Sequence, residues 1–279
     1  MPSQLHTSES MPFIGEAEDA CTPTELPVSL WVARVSTCDE QMLAECRALM
    51  SVEELQRNSR YRFERDQHRD QVSRALLRST LSRFVARPSH SLEFSIGQHG
   101  KPRLLDAPDN LSFNLSHAGD FVVLAVSLCG AIGVDIEHME RSNDIQRIAH
   151  HYFRESEIDY ILMNTDGSNQ DSHERFYTLW TLKESYMKAR GEGVSLGLDK
   201  FGFALHHDQR IVEIDMASEL NDDPRAWQFA AWQFTEQYRL AVALKHEQWH
   251  PIHIIDSKPN GEFQRKFSLL QPIGSIAYE

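Results

Sequence analysis

Several familiar protein classes are excluded by what this sequence lacks. Its 279 residues carry only four cysteines, Cys21, Cys38, Cys46 and Cys129, with no CxxC pair and no shared spacing. A disulfide scaffold is thereby excluded, and the thiols read as reduced ones in a cytoplasmic protein. Long hydrophobic runs are also missing. The longest, Phe121 to Val134, is interrupted by Ser127, Cys129 and two glycines, well short of the roughly 20 residues that cross a bilayer. The first twenty residues, MPSQLHTSESMPFIGEAEDA, have neither a basic start nor an apolar core, so no secretory signal is expected. Positive charge is in deficit: 28 Lys and Arg stand against 41 Asp and Glu, which argues against nucleic acid as the main partner. No short-period repeat appears. With 41% hydrophobic and 25% charged residues, the chain lies in the ordinary globular range and can bury a core of one or two units.

Local pattern then gives the organisation. Residues 1–25 are polar and Ser/Glu-rich and are expected to lack fixed structure. Leu30 to Val35 reads as a strand and Asp39 to Met50 as a helix. Between Glu53 and Arg87, nine arginines outnumber five acids. This stretch reads as one long helix or two abutting ones, ended by Pro88. It is either a solvated basic face or an anion site, because guanidinium forks match phosphate oxygens. A Gly100-Lys101-Pro102 loop precedes a short strand. Ser112 to Ser116 and Phe121 to Ser127 read as strands joined by a turn over residues 117–120, followed by a strand in AIGVDIE. Asp144 to Phe153 and Ser156 to Asn164 look helical, residues 165–173 form a loop, and Glu174 to Arg190 is a helix stopped by Gly191. Two hairpins follow, Phe201 to His206 with Ile211 to Met216 and Trp227 to Thr235 with Arg239 to Lys245. Helices plus antiparallel strands thus occur before residue 130 and again after it. The expected fold is α+β, in two similar halves, 26–130 and 131–250, with 251–279 as a C-terminal extension.

Three segments carry chemistry. In Gly133-Val134-Asp135-Ile136-Glu137, a strand puts both carboxylates on one face and Ile136 on the other. Two close carboxylates repel unless a cation lies between them, and oxygen ligands suit a hard ion such as Mg²⁺. Two acids scattered on a surface strand would give the same letters. In Trp180-Thr-Leu-Lys183-Glu184-Ser-Tyr-Met-Lys188-Ala-Arg-Gly191, the four-residue spacing puts Trp180, Glu184 and Lys188 on one helical face. This is either a surface ion pair or a third metal ligand with a phosphate clamp. In Phe113-Asn114-Leu115-Ser116-His117-Ala118-Gly119, Ser116 and His117 stand where a strand opens into a turn. There they cap the turn or bind phosphate, since adjacent residues rarely form a nucleophile and its base.

The ordered set GKP, FNLSH, GVDIE and WTLKESYMKARG resembles the Sfp-type 4′-phosphopantetheinyl transferases over roughly Leu26 to Lys245. The resemblance implies two α+β halves related by pseudo-two-fold symmetry within a monomer, with coenzyme A in the cleft between them. It implies transfer of phosphopantetheine from coenzyme A to a serine of an apo acyl, peptidyl or aryl carrier protein, with release of 3′,5′-ADP. Asp135, Glu137 and Glu184 match the Mg²⁺ ligands, and Lys188 the lysine on the pyrophosphate. Ser116, His117 and Lys101 match residues holding the nucleotide phosphates. Arg69 matches the arginine near the 3′-phosphate, Arg57 falls near another basic position, and Glu157 aligns with a further active-site acid. Glu184 or a metal-bound water would take the proton of the attacking serine. The rival reading is a Mg²⁺-dependent hydrolase of nucleotides such as coenzyme A, using the same carboxylates with water as nucleophile.

Overall fold

A computed structural model describes residues 24–140, 144–163, 170–205, 212–248, 250–268 and 274–275. The expected tail, residues 1–25, lies almost wholly outside the described residues. The first half runs β1 (Val28–Arg34), α1 (Glu40–Leu49), α2 (Val52–Asn58), α3 (Glu64–Val85), β2 (Phe94–Ile96), β3 (Pro102–Leu104), β4 (Ser112–Ala118) and β5 (Phe121–Ser127). The second runs β6 (Ile132–His138), α4 (Ile145–Tyr152), α5 (Glu155–Leu162), α6 (Gln170–Arg190), β7 (Phe201–Leu205), β8 (Val212–Met216), β9 (Trp227–Thr235) and β10 (Tyr238–Lys245). One strand, three helices and two hairpins therefore occur twice in the same order. Sheet pairing repeats as well: β1 is antiparallel to β5, and β5 to β4, as β6 is to β10 and β10 to β9.

Three strands complete the sheets: β11 (His253–Ser257), β12 (Phe263–Ser268) and β13 (Gly274–Ser275). β11 lies parallel to β1 and extends the first sheet to β12-β11-β1-β5-β4. The residues after 250 thus return to the first half's sheet, while β13 pairs with β9 of the second. The helix expected from Glu174 begins at Gln170, which shortens the expected loop; residues 164–169 are outside the described set.

Period-two burial sorts the strands into a layered stack. Leu30, Val32, Val123, Ile132, Val134 and Ile136 share one core with Trp232, Leu240 and Val242 between the two sheets. On the outer face of the first sheet, Trp31, Val122 and Leu124 pack against Val72, Leu76 and Leu81 of α3. On the outer face of the second, Ala231, Ala241 and Ala243 pack with Leu179, Leu182 and Tyr186 of α6. Small strand residues beneath α6 let that helix lie close to its sheet. No described helix is long and apolar enough to cross a membrane.

The halves meet where β4 faces β6. Every second β4 side chain accepts a backbone N–H of β6: Ile132 N to Ser112 Oγ at 3.2 Å, Val134 N to Asn114 Oδ1 at 2.9 Å, and Ile136 N to Ser116 Oγ at 3.3 Å. Polar side chains thus satisfy a strand edge that would otherwise be open, and they fix the register of one half against the other.

Candidate active site

The arginine-rich stretch splits by role. Arg78 is 3% exposed and donates to Glu54 at 2.7 Å and to the carbonyls of Ser89 and Leu92. Arg74 pairs with Asp70 at 3.4 Å, and Arg83 donates to the Gly261 carbonyl. These arginines hold the first half together, so neither the solvated-face nor the anion-site reading describes them. Arg57, Arg60, Arg62 and Arg65 are exposed. Arg69, paired with Asp66 at 2.8 Å, reaches the wall of a cavity.

The carboxylates of β6 stand as strand alternation requires. Ile136 enters the inter-sheet core, while Asp135 and Glu137 face α6. Gly133 sets the spacing between strand and helix. A Cβ there would lie 2.0 Å from the Ser185 carbonyl oxygen and 2.4 Å from the Ala189 nitrogen. The α6 backbone rests directly on the glycine, one strand repeat before Asp135. An isolated glycine inside a strand pattern is itself a sign of close backbone approach.

From Phe176 to Ala189 every α6 position is buried except Trp180, Glu184 and Lys188. Four-residue spacing makes them a single open stripe down an otherwise enclosed helix. Lys188 Nζ lies 2.5 Å from Asp135 Oδ1 and 3.0 Å from Ser116 Oγ, and Ser116 Oγ donates to the same Asp135 oxygen at 3.0 Å. Asp135 Oδ2 is buried with no hydrogen-bond partner.

Burial, then the charge of Asp135, pushes Glu137 up to about 7 and raises Glu184 as well. Asp135 is raised by burial, against the pull of Lys188. Burial alone would depress Lys188, but Asp135, Glu184 and Glu137 together hold it above the usual lysine value. Three carboxylates thus act on one ammonium, Asp135 by direct contact and Glu184 and Glu137 through their charge, an excess of negative charge in a poorly solvated place. An orphaned carboxylate oxygen beside two further acids, all oxygen donors, fits a hard divalent cation.

β4 continues to Ala118, so Ser116 and His117 point to opposite sides of the sheet. Ser116 is in the carboxylate cluster. His117 instead lines a cavity of about 480 Å³ with Arg69, Gly119, Glu137, Phe176 and Trp180. The surrounding protein, and then the Arg69 charge, hold its imidazole below the usual histidine pKa. Glu137 is shared between cluster and cavity.

Two of the expected site residues have structural partners. Glu157 is 1% exposed and away from this cluster. Its carboxylate pairs with Lys183 at 2.8 Å and accepts the backbone N–H groups of Arg154 and Phe203. It belongs to the second half's core, where strand β7, helix α5 and helix α6 meet. Lys101 donates to the carbonyls of Ile132, Lys188 and Ala189 at 3.1, 2.7 and 3.0 Å. All three ammonium protons are thereby used in tying the C-terminal end of α6 to the start of β6. Arg57 is exposed in the last turn of α2. Asn114 fastens β4 to β6, and the polar alternation Ser112, Asn114, Ser116 is the sequence signal of such a seam.

Residues 131–243 match the model of the 4′-phosphopantetheinyl transferase superfamily, and residues 36–129 match that of the 4′-phosphopantetheinyl transferase N-terminal region. The 4′-phosphopantetheinyl transferase Sfp of Bacillus subtilis is 31% identical over 199 residues, covering 71% of this chain and 84% of that protein. The chain belongs to the 4′-phosphopantetheinyl transferase superfamily. A phosphopantetheinyl transferase of Thraustochytrium sp. is 31% identical over 232 residues, covering 78% of this chain and 79% of its own. The 4′-phosphopantetheinyl transferase HetI of Nostoc sp. is 28% identical over 219 residues, covering 76% and 85%. The transferase superfamily model spans β6, α6 and β10, the elements that carry or support Asp135, Glu137, Glu184 and Lys188. The hydrolase reading gains no support from these matches.

Proposed function

We propose that this transferase moves 4′-phosphopantetheine from coenzyme A to a serine of an apo acyl, peptidyl or aryl carrier protein, releasing 3′,5′-ADP. The observation that carries the reading is the contact of Lys188 with Asp135 and Ser116, beside Glu137 and Glu184. Asp135, Glu137 and Glu184 would hold Mg²⁺, which when bound offsets the charge of the pyrophosphate and polarises it. Lys188, bridging Ser116 and Asp135, offers its ammonium to the same pyrophosphate. Ser116 fixes the pair by bonding both. The carboxylate of Glu184 takes the proton from the carrier's serine Oγ as that oxygen attacks the β-phosphorus. The bond to the α-phosphate breaks, and Lys188 stabilises the departing phosphate oxygen. His117 and Arg69, on the cavity wall, and Arg57 on α2 bind the nucleotide phosphates. Lys101 supports them only through the end of α6. Both sides of the cleft come from one chain, which suits a monomer. The free thiols of Cys38, Cys46 and Cys129 suit the cytoplasm.

Two substitutions on the α6 stripe test the roles. Glu184→Gln should lower single-turnover transfer by roughly two to four orders of magnitude while calorimetry still detects coenzyme A binding. Lys188→Ala should weaken binding and slow transfer together. Loss of coenzyme A affinity in Glu184→Gln, with affinity and rate both kept in Lys188→Ala, would overturn the assignment.

A further inference from the structure

A second cluster of metal-ligating side chains lies outside the carboxylate site. Cys129, His246 and His250 each place a donor atom so that all three lie within 4.8 Å of one another. They come from two segments distant in sequence. Cys129 is in the turn from β5 to β6, and the histidines follow β10 with the spacing His-x₃-His common among structural zinc ligands.

The fold presses these segments together. A Cβ on Gly130 would lie 2.0 Å from the Lys245 carbonyl oxygen, and Lys245 N donates to the Ala131 carbonyl at 2.8 Å. The turn is therefore held flat against the end of β10, one residue before His246. Ser127 Oγ accepts the N–H groups of Cys129 and Gly130, both at 3.2 Å, and stands 3.5 Å from the Cys129 sulfur. The Cys129 thiol also donates to the Pro27 carbonyl at 3.8 Å.

Both histidines are held by neighbouring polar groups. The Gln248 N–H donates to His246 Nδ1 at 3.0 Å, and the Gln248 carbonyl oxygen lies at the same distance. Metal binding at Nε2 shifts the ring to the tautomer that donates Nδ1–H to that carbonyl, the backbone support typical of metal-bound imidazole. His250 is anchored through its backbone N–H to Gln228 Oε1 at 3.1 Å, and its Nε2 is buried without a partner. The two rings stand 4.4 Å apart, centroid to centroid.

We propose that Cys129, His246 and His250 form a zinc site that fastens the β5–β6 turn to the segment after β10. One thiolate and two imidazoles match the ligand preference of Zn²⁺ and differ from the all-oxygen set on β6 and α6. Tetrahedral Zn²⁺ places sulfur and nitrogen ligands roughly 3.5 Å apart, so closure needs imidazole rotation of about 1 Å. On binding, the Cys129 thiol gives its proton to solvent and the sulfur takes the metal. Water fills the fourth position. β6 starts at Ile132, three residues beyond Cys129, so the site braces the strand that carries Asp135 without contributing to the reaction.

Cobalt is the probe. The full chain, reduced and stripped of metal, is titrated with Co²⁺, expecting one equivalent to give the near-ultraviolet thiolate-to-cobalt absorption. Zn²⁺ should then displace it. The carboxylate site also takes Co²⁺ but has no sulfur, so it is silent in this band. Cys129→Ser should abolish the band, and Cys38→Ser should leave it intact. His246→Ala and His250→Ala should each weaken Co²⁺ binding beyond the roughly 10–100-fold that follows loss of an outer-shell partner. Wild-type protein without the band, or a band that survives Cys129→Ser, would overturn the proposal. If Cys129→Ser does not fold, His250→Ala decides, and undiminished Co²⁺ affinity in it overturns the site.

Discussion

Gly133→Ala perturbs the geometry of the proposed site without removing any of its functional groups. The new Cβ would sit 2.0 Å from the Ser185 carbonyl oxygen, 2.4 Å from the Ala189 nitrogen and 3.0 Å from the Ala189 Cα. A carbon meets a carbonyl oxygen comfortably at about 3.3 Å, so α6 must withdraw on the order of 1 Å from β6. The obstacles are backbone atoms, which no side-chain rotation can clear. Overpacking of this kind costs roughly 1–3 kcal/mol of stability. The larger consequence is for rate. Glu184 and Lys188 ride on α6, Asp135 and Glu137 on β6, and Lys188 Nζ now lies 2.5 Å from Asp135. A misplacement of about 1 Å between such groups can slow turnover ~100-fold. Gly130→Ala is the matched control, because its Cβ would meet the Lys245 carbonyl oxygen at the same 2.0 Å, outside the site. Transfer rate at saturating coenzyme A and Mg²⁺, with thermal unfolding, should show both variants destabilised and only Gly133→Ala slow. Gly133→Ala at full rate, or Gly130→Ala equally slow, would refute the argument that this glycine sets the catalytic spacing.

Further outcomes separate structural from catalytic acids. Glu157→Ala leaves Lys183 as an unpaired buried cation, and it should lose about 3–5 kcal/mol in denaturant unfolding while the folded fraction keeps its turnover. A Glu157→Ala protein that unfolds normally but turns over slowly would restore that residue to the site. Glu137, raised to about 7 by burial and then by Asp135, holds a proton in the folded chain that the unfolded chain has lost above about 4.5. The metal-free fold therefore loses this group's contribution as pH rises from about 4.5 through 7. Mg²⁺ should then raise Tm more at pH 8 than at pH 5, and equal shifts would count against Glu137 as a ligand.

Much of the site was legible because strand and helix periods are short. Alternation put Asp135 and Glu137 on one face, and four-residue spacing aligned Trp180, Glu184 and Lys188. Both patterns depend only on near neighbours along the chain. What sequence left open was settled by contacts between distant segments. Nothing local tells Glu157 from Glu137, both acids with an isoleucine on one side and a polar residue on the other, until Lys183 is seen beside one and Lys188 near the other. Lys101 reads as a phosphate ligand until its ammonium is found among three carbonyls of β6 and α6. The parallel pairing of β11 with β1 joins residues more than two hundred positions apart, beyond any periodic signal. Arg78 likewise belongs to a basic run by spacing, but to a buried pair with Glu54 by packing.

The carboxylates of Asp135, Glu137 and Glu184 are proposed to support transfer to a carrier serine. Intact mass spectrometry of apo acyl, peptidyl and aryl carrier proteins, incubated with coenzyme A, Mg²⁺ and this chain, tests it most directly. At least one carrier should gain the mass of a phosphopantetheinyl group, chelation of Mg²⁺ should stop the gain, and Asp135→Ala should abolish it while remaining folded. Free phosphopantetheine with every carrier unmodified, or a full mass gain with Asp135→Ala, would contradict it.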